Sequence, residues 1–134
     1  SQIDAYKPDI LITFDHTGWY YHLDHVGVSI AVTLAAQQCE HRNFAFLLSH
    51  VRMSPSKWRY WFPDVLPTTH SVSIESVKEK KLAAIEAHAS QDLEAVKQQL
   101  HHENISPELF QLITCKNAQA QAMLESNSLF TATA

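Results

Sequence analysis

Cysteine and glycine are both scarce in this chain, since each occurs only twice in 134 residues. Cys39 and Cys115 lie far apart in apolar segments, so we expect buried free thiols in a reducing cytoplasm rather than a disulfide. Neither belongs to a Cys-x-x-Cys pair, which excludes a structural zinc knuckle. With only Gly18 and Gly27 present, the chain has no glycine-rich phosphate loop, and nucleotide binding by that route is unsupported.

Long apolar runs and an excess of basic charge are also missing. No stretch approaches the roughly 18 consecutive apolar residues that a membrane span requires. Residues Ser1 to Asp4 have neither the basic start nor the apolar core of a signal peptide. The formal net charge of −4 gives no electrostatic reason to expect nucleic acid or an anionic membrane as a partner. The remaining composition, 46% hydrophobic and 18% charged, predicts one globular domain, which we place in the cytoplasm.

The first half of the chain carries the clearest secondary-structure signals. Ile10–Phe14 is an apolar, β-branched run that predicts a buried strand of a covered, parallel sheet. Residues 24–38 alternate at first as a strand would, but their length and their Leu-Ala-Ala-Gln-Gln end favour a buried helix. Residues 43–50 predict a second strand of the same apolar kind. Gly18, between the first strand and the helix, marks a backbone requirement.

The middle of the chain is less regular. Residues 53–67 hold three prolines and four aromatic side chains, which predicts a loop, with a short strand around Tyr60 left open. A last short strand is predicted at residues 70–74. Ser76 to Glu79 then offers a capping box for a helix. The apolar face of this helix is formed by Val77, Leu82, Ile85 and Ala89.

Two more helices are predicted towards the C-terminus. The first carries Leu93, Val96 and Leu100 on its apolar face. The second begins at Ser106-Pro107-Glu108, which has the sequence of an N-cap, a first-position proline and a first-turn acid, and it continues through Ile113. Residues 126–134 are expected to fray.

The segment from Gly18 to His25 lies between a predicted strand and a predicted helix, where active-site loops lie in open α/β sheets. His22 and His25 are three residues apart, so at a helix start their side chains would be neighbours. Asp24 could accept a ring N–H and fix the tautomer of a neighbouring imidazole, and such a unit suits metal-assisted hydrolysis. Two plainer interpretations stay open: Asp24 is equally suited to be the N-cap of the helix, and a His-x-x-His spacing also arises by chance.

A resemblance to a known family adds to this interpretation. The run Pro8-Asp9-Ile10-Leu11-Ile12-Thr13, followed by Gly18 and then by His22-Leu23-Asp24-His25, resembles the second motif of the PIG-L/LmbE zinc-dependent N-deacetylases. In that motif a Pro-Asp-apolar strand leads into a Gly-rich loop and His-Pro-Asp-His. Downstream, the run from Lys81 to Gln91 is similar to the family's Lys…Ala-Ile…Ala-His-x-Ser-Gln helix end. The two motifs occur in the family's order and cover residues 8–91.

The resemblance implies roles for individual residues. His25 matches the histidine that ligates the catalytic zinc, and His22 matches the catalytic histidine that stabilises the tetrahedral intermediate or protonates the leaving amine. Asp24 matches the carboxylate that orients His22, and Tyr20 lies where some members place a tyrosine that reaches the acetyl oxygen of the substrate. Three family markers are expected to have a structural role that closes off the site: His88, Ser90 and Gln91. The histidines that match no family position are expected at the surface or in packing: His16, His41, His50 and His70.

Two departures from the family pattern affect these expectations. Leu23 replaces the usual proline, which is a mild change because that residue only shapes the turn. The family's other motif, His-Pro-Asp-Asp, supplies two further zinc ligands and the general base, and it is absent. Catalytic zinc uses three protein ligands and an open position, and this chain identifiably offers one, His25. We therefore expect the C-terminal portion of a longer deacetylase, with a reduced, inactive relative as the other possibility.

The fold implied by the resemblance is α/β: a three-layer Rossmann-like sheet with flanking helices, truncated at its N-terminal side, over residues 1–125. The implied function is zinc-dependent hydrolysis of an N-acetyl group on an N-acetylglucosamine-type conjugate, as the C-terminal part of a catalytic domain that is inactive alone. The alternative is a catalytically incomplete α/β domain that binds a partner chain or a glycan through the aromatic residues 58–62. A plainer interpretation of these aromatics is that they cap the core. Because the strand at 10–14 would lack a neighbour, we expect a homo-oligomer or association with the missing N-terminal half.

Overall fold

The computed structural model describes residues 1–50, 68–88, 106–126 and 130–132, and these ranges contain five helices and five strands. The helices are α1 (Gln2–Tyr6), α2 (Gly18–Tyr21), α3 (Leu23–Gln38), α4 (Lys78–Glu86) and α5 (Ala118–Ser126). The strands are β1 (Ile10–Phe14), β2 (Ala45–His50), β3 (His70–Val72), β4 (Glu108–Cys115) and β5 (Phe130–Ala132). A 3₁₀ turn, Glu75–Val77, precedes α4.

The strands form one mixed sheet in the order β1-β2-β4-β3-β5. β1 and β2 are parallel, with Ile10 opposite Ala45 and Phe14 opposite Ser49. β4 runs antiparallel to both β2 and β3, and β5 runs antiparallel to β3. The predicted strands at 10–14 and 43–50 and their parallel pairing are therefore confirmed, but the prediction that the first strand is buried is wrong. Of its residues only Thr13 is buried, and Ile12 is 49% exposed. The reason is that within the described ranges β1 forms one edge of the sheet.

Helices pack on both faces of the sheet, so the fold is mixed α/β with flanking helices. On one face α1 and α3 cover a cluster of apolar side chains: Ile3, Leu11, Val32, Ala35, Ala36, Cys39, Phe44, Phe46 and Leu48. On the other face α5 covers a second cluster: Ile10, Ala45, Leu47, Val72, Phe110, Leu112, Cys115, Ala120 and Leu124. Both cysteines are free thiols, with Cys39 buried and Cys115 half-buried.

Helix α3 confirms the predicted helix at 24–38, but the prediction that this helix is buried is wrong. Only Ser29 and Ala36 are buried in it. Four of its large apolar side chains are 46 to 83% exposed, namely Leu23, Val28, Ile30 and Leu34. The reason is that α3 is an outer layer: the sheet covers one side of it, and nothing in the described ranges covers the other. None of the described helices has the length and apolar character that a bilayer crossing requires.

The predicted helix from Ser106 is also wrong, because this segment forms strand β4. The Ser106 hydroxyl does not cap a helix; it accepts a hydrogen bond from the Ile74 N–H at 3.2 Å. β4 lies between β2 and β3, so its backbone is paired on both sides, and Phe110 is buried. Pairing on both sides and burial of an aromatic side chain outweigh a helix-start signal that is local to three residues.

Three smaller predictions also need correction. The predicted capping box at Ser76 is wrong, since Ser76 lies inside the 3₁₀ turn and no side chain caps α4. The predicted strand at 70–74 forms over His70–Val72. Within the tail expected to fray, Phe130–Ala132 pairs with β3 as an edge strand. The predicted loop at 53–67 and the predicted helix around Leu93 lie outside the described residues.

Candidate functional site

A tight turn after β1 begins the candidate site. Gly18, Trp19 and Tyr21 all have positive φ angles, of 59, 69 and 60°. A Cβ atom on Gly18 would lie 2.7 Å from the Val26 backbone nitrogen and 3.0 Å from the His25 Cβ. Only glycine therefore allows the start of α3 to come this close to the turn. This confirms the predicted backbone requirement at Gly18.

A hydrogen bond ties α3 to the end of β1. The Ser29 hydroxyl donates to the Phe14 carbonyl at 2.8 Å, and Ser29 is buried. Ser29 lies one turn beyond His25, so this bond fixes the position of the first turn of α3 relative to the end of the strand. The loop and the helix start are thereby held at the carboxyl end of β1, where sites lie in open α/β sheets.

His22 and His25 are neighbours, as their spacing predicts. His22 is the N-cap residue of α3 and His25 lies in the first turn of that helix. Their ring centroids are 4.7 Å apart, and the ring planes are tilted by 34°. The His22 side chain is 45% exposed and His25 is half-buried. The pair is thus packed on one side and open to solvent on the other.

His25 is held on three sides by the turn and the strand. Its ring stacks on Phe14, with centroids 4.1 Å apart and planes within 7°, and it meets Trp19 edge-on at 5.4 Å. Its Nδ1 lies 3.3 Å from the Gly18 carbonyl oxygen. A carbonyl only accepts, so this hydrogen bond requires a proton on Nδ1, and in the neutral ring the lone pair is then on Nε2. Metal-ligating histidines are oriented in this way, through the ring nitrogen that does not bind the metal.

Asp24 is less closely engaged than the family pattern implies. Its Oδ2 lies 4.0 Å from the His22 Nδ1, and its side chain is 89% exposed. This distance is longer than a hydrogen bond, so the orientation of His22 by Asp24 stays a prediction. The alternative that Asp24 is the N-cap of the helix is wrong, because His22 holds that position.

The other residues that the resemblance implicates are only partly visible. Tyr20 belongs to α2, and its side chain lies outside the described part of the chain. His88 is exposed just beyond the end of α4, while Ser90 and Gln91 lie outside the described residues. The proposed contact of Tyr20 with substrate and the proposed closing role of the other three stay predictions.

Sequence reasoning missed a second polar pair beside this turn, Asp15 and His50. The His50 Nδ1 lies 3.1 Å from the Asp15 Oδ2, and each side chain is only 3% exposed. Burial raises the pKa of Asp15, but hydrogen bonds from His50 and Thr17 outweigh it and hold that pKa below its ordinary value. His50 was expected at the surface or in packing, and the structure buries it, in contact with a carboxylate that the sequence did not indicate. The available signal was position, since each residue stands at the carboxyl end of a predicted parallel strand.

The other three histidines for which surface or packing roles were expected fit those roles. His16 is exposed. His41 is half-buried with its Nε2 3.2 Å from the Pro8 carbonyl, at the opposite end of β1. His70 is half-buried with its Nδ1 2.8 Å from the Thr69 hydroxyl. A cavity of ≈ 170 Å³ lies near the far end of α3, between Ala36, Phe44 and Lys116, and none of the predicted site residues line it.

The described residues contain no group of three or more His, Cys, Asp or Glu side chains placed to hold a metal ion. Comparison of the chain with family models, with curated proteins and with solved structures found no match. The functional argument therefore rests on the residues and on their geometry. Within that geometry, the oriented Nε2 of His25 fits the part of a single zinc ligand.

Proposed function

We propose that this chain is the C-terminal part of a PIG-L/LmbE-type zinc-dependent deacetylase domain, which hydrolyses an N-acetyl group on an N-acetylglucosamine-type conjugate. One observation supports this most strongly. His25 lies in ring contact with His22 at the carboxyl end of β1, and its Nδ1 is engaged by the Gly18 carbonyl. A ligand oriented in this way, next to a second and more exposed imidazole, suits metal-assisted hydrolysis.

His25 is the residue of this chain that would hold the zinc. When bound, zinc would supply Lewis-acid activation of water near neutral pH. The packing of the His25 ring against Phe14 and Trp19 keeps its Nε2 direction fixed before any metal arrives. A preorganised ligand loses little conformational entropy on binding, which favours affinity.

His22 would act as the proton donor of the reaction. Its ring is adjacent to that of His25 but nearly half exposed, so a substrate can reach it. A histidine in this place can stabilise the oxyanion by donating a hydrogen bond to it, or can give its proton to the departing amine of the hydrolysed amide. Asp24, 4.0 Å away, would orient His22 once substrate is bound, since catalytic hydrogen bonds are often long before substrate binds and tighten with it. Tyr20 would reach the acetyl oxygen.

The other zinc ligands and the general base would come from outside this sequence. We propose that they lie on the N-terminal half of a three-layer Rossmann-like domain, which adds strands next to β1. Two features support this placement: β1 is an edge of the sheet among the described residues, and its Ile12 side chain is 49% exposed. In the absence of that half, an apolar edge of this kind favours association of copies of the chain.

The test uses a longer polypeptide. The coding sequence upstream of Ser1 is read for a His-Pro-Asp-Asp segment, and the extended protein is assayed for bound zinc and for acetate release from an N-acetylglucosamine conjugate. We expect His22→Gln to keep zinc and lose acetate release, and His25→Gln to lose both. The matched control is His41→Gln, at the opposite end of β1, which should keep both.

Two results would count against the proposal. The first is an extended protein that lacks the upstream motif and binds no zinc, which would favour the alternative of a non-catalytic binding domain. The second is a His25→Gln variant that retains zinc while His22→Gln loses it, which would exchange the roles of the two histidines.

A further inference from the structure

We infer that Asp15 and His50 are positioning residues, which hold the turn after β1 in the conformation that presents His25. The inference rests on the proposed function only in taking His25 as the metal ligand. Asp15 follows the last residue of β1, and His50 is the last residue of β2. The two parallel strands end side by side, and the Asp15 N–H donates to the Ser49 carbonyl at 3.1 Å.

One carboxylate oxygen of Asp15 accepts several hydrogen bonds from residues of the turn. Its Oδ1 accepts hydrogen bonds from the Thr17 N–H at 2.8 Å, from the Thr17 hydroxyl, and from the Trp19 N–H at 3.4 Å. The Trp19 indole N–H donates in turn to the Ser49 carbonyl at 3.1 Å. The turn is therefore fastened both to the end of β1 and to the end of β2.

His50 fixes the other carboxylate oxygen. A carboxylate only accepts, so the 3.1 Å contact with Oδ2 requires the proton on the His50 Nδ1. This contact sets the rotation of the carboxylate, so that Oδ1 faces the donors of the turn. The His50 Nε2 is buried without a hydrogen-bond partner in the part of the chain that the structure describes. Burying an unpaired ring nitrogen costs free energy, which argues that the pair serves the turn rather than core stability.

The turn needs such support because it is strained. Trp19 and Tyr21 are not glycines, yet both have positive φ, and such residues persist only where their surroundings over-determine them. Trp19 connects the turn to His25 through ring contacts. Its ring packs edge-on against Phe14 and His25, with ring centroids 4.8 and 5.4 Å apart. A connected path of contacts thus runs from His50 through Asp15 and Trp19 to the His25 ring.

Imidazole ¹H–¹⁵N spectra of the extended protein that the proposed function calls for, recorded before and during zinc addition, test this path. In the wild type we expect the Nδ1–H tautomer at both His25 and His50, and His25 ring protons shifted upfield by the Phe14 stack. His50→Leu removes the contact with Oδ2, so the His25 upfield shift should collapse and zinc should bind His25 about tenfold more weakly. His50→Asn should restore both properties, because the Asn Nδ2 is bonded to Cγ as the His Nδ1 is. Unchanged His25 signals in His50→Leu would overturn the inference.

A second variant keeps the test decisive if His50→Leu does not fold. In Asp15→Asn the three donors of the turn require an acceptor, so the amide oxygen should face them and the amide NH₂ should face His50. We then expect the His50 proton to move to Nε2 while the His25 signals stay in place. A His50 that keeps its Nδ1 proton in this variant would contradict the assigned contacts.

The control is His41→Leu, which removes a half-buried histidine from the opposite end of β1. It should lower the Tm without moving the His25 signals. An equal change at His25 would mean that general loss of stability, not positioning, explains the result for His50→Leu.

The response of the His25 signal to zinc distinguishes a failure of this inference from a failure of the proposed function. If zinc never shifts the wild-type His25 Nε2 signal, the function fails and the positioning result stands. If zinc shifts it equally in the wild type and in His50→Leu, the positioning fails and the function stands.

Discussion

Gly18→Ala is the substitution to which the site should respond most strongly. An alanine at the φ of 59° that Gly18 adopts costs roughly 1–2 kcal/mol in a left-handed conformation. Its Cβ would also lie 2.7 Å from the Val26 backbone nitrogen, an atom that cannot rotate away, and overpacking of this kind costs about 1–3 kcal/mol. We therefore expect the free energy of unfolding to fall by about 2–5 kcal/mol.

Thermal unfolding measures this effect, with the second glycine as the matched control. The Tm of Gly18→Ala should drop by on the order of 10 °C. Gly27 lies inside α3, and a Cβ there would meet nothing within 4 Å, so Gly27→Ala should raise helix stability by about 1 kcal/mol. A Gly18→Ala variant as stable as the wild type, or two glycine variants that behave alike, would refute the described approach of α3 to the turn.

The remaining predictions concern acid stability and association. Because the pKa of Asp15 is lowered on folding, its stabilisation is present above the unfolded carboxyl pKa of about 3.9 and is lost as the pH falls through the lower folded value. Urea unfolding at a series of pH values should show this loss in the wild type, and a pH dependence identical in Asp15→Asn would contradict it. Light scattering should find a dimer or larger species for the wild type, since α3 and β1 expose apolar side chains. Replacing Leu23 and Ile30 by Glu should shift this species towards the monomer, and a strictly monomeric wild type would oppose the prediction.

The parts of the fold that follow from local sequence were predicted well. The apolar run Ile10–Phe14 and the length of the segment at 24–38 are enough to define β1 and α3, because each signal lies within one element. The burial of α3 was mispredicted because it depends on what lies above the helix, which no local pattern records. β4 was mispredicted for a related reason: Ser106-Pro107-Glu108 has helix-start chemistry, but pairing with two distant strands decided the outcome.

In the candidate site, too, one contact could be predicted from local sequence and another could not. The contact between His22 and His25 follows from a spacing of three residues at a helix start, and the structure confirms it. The Asp15–His50 pair joins residues 35 positions apart and depends on the register of β1 against β2. Periodicity gives that register only to within a residue or two, and a shift of one residue would turn His50 to the other face of the sheet.

The most direct test of the central claim is a zinc titration of the extended protein, followed in the imidazole ¹⁵N spectrum. The account predicts that, among the histidines of this chain, zinc first shifts the Nε2 resonance of His25. It also predicts that zinc binding is lost in His25→Ala and kept in His22→Ala. A response that begins at another histidine of this chain, or zinc binding that survives the loss of His25, would contradict the assignment of His25 as the metal ligand.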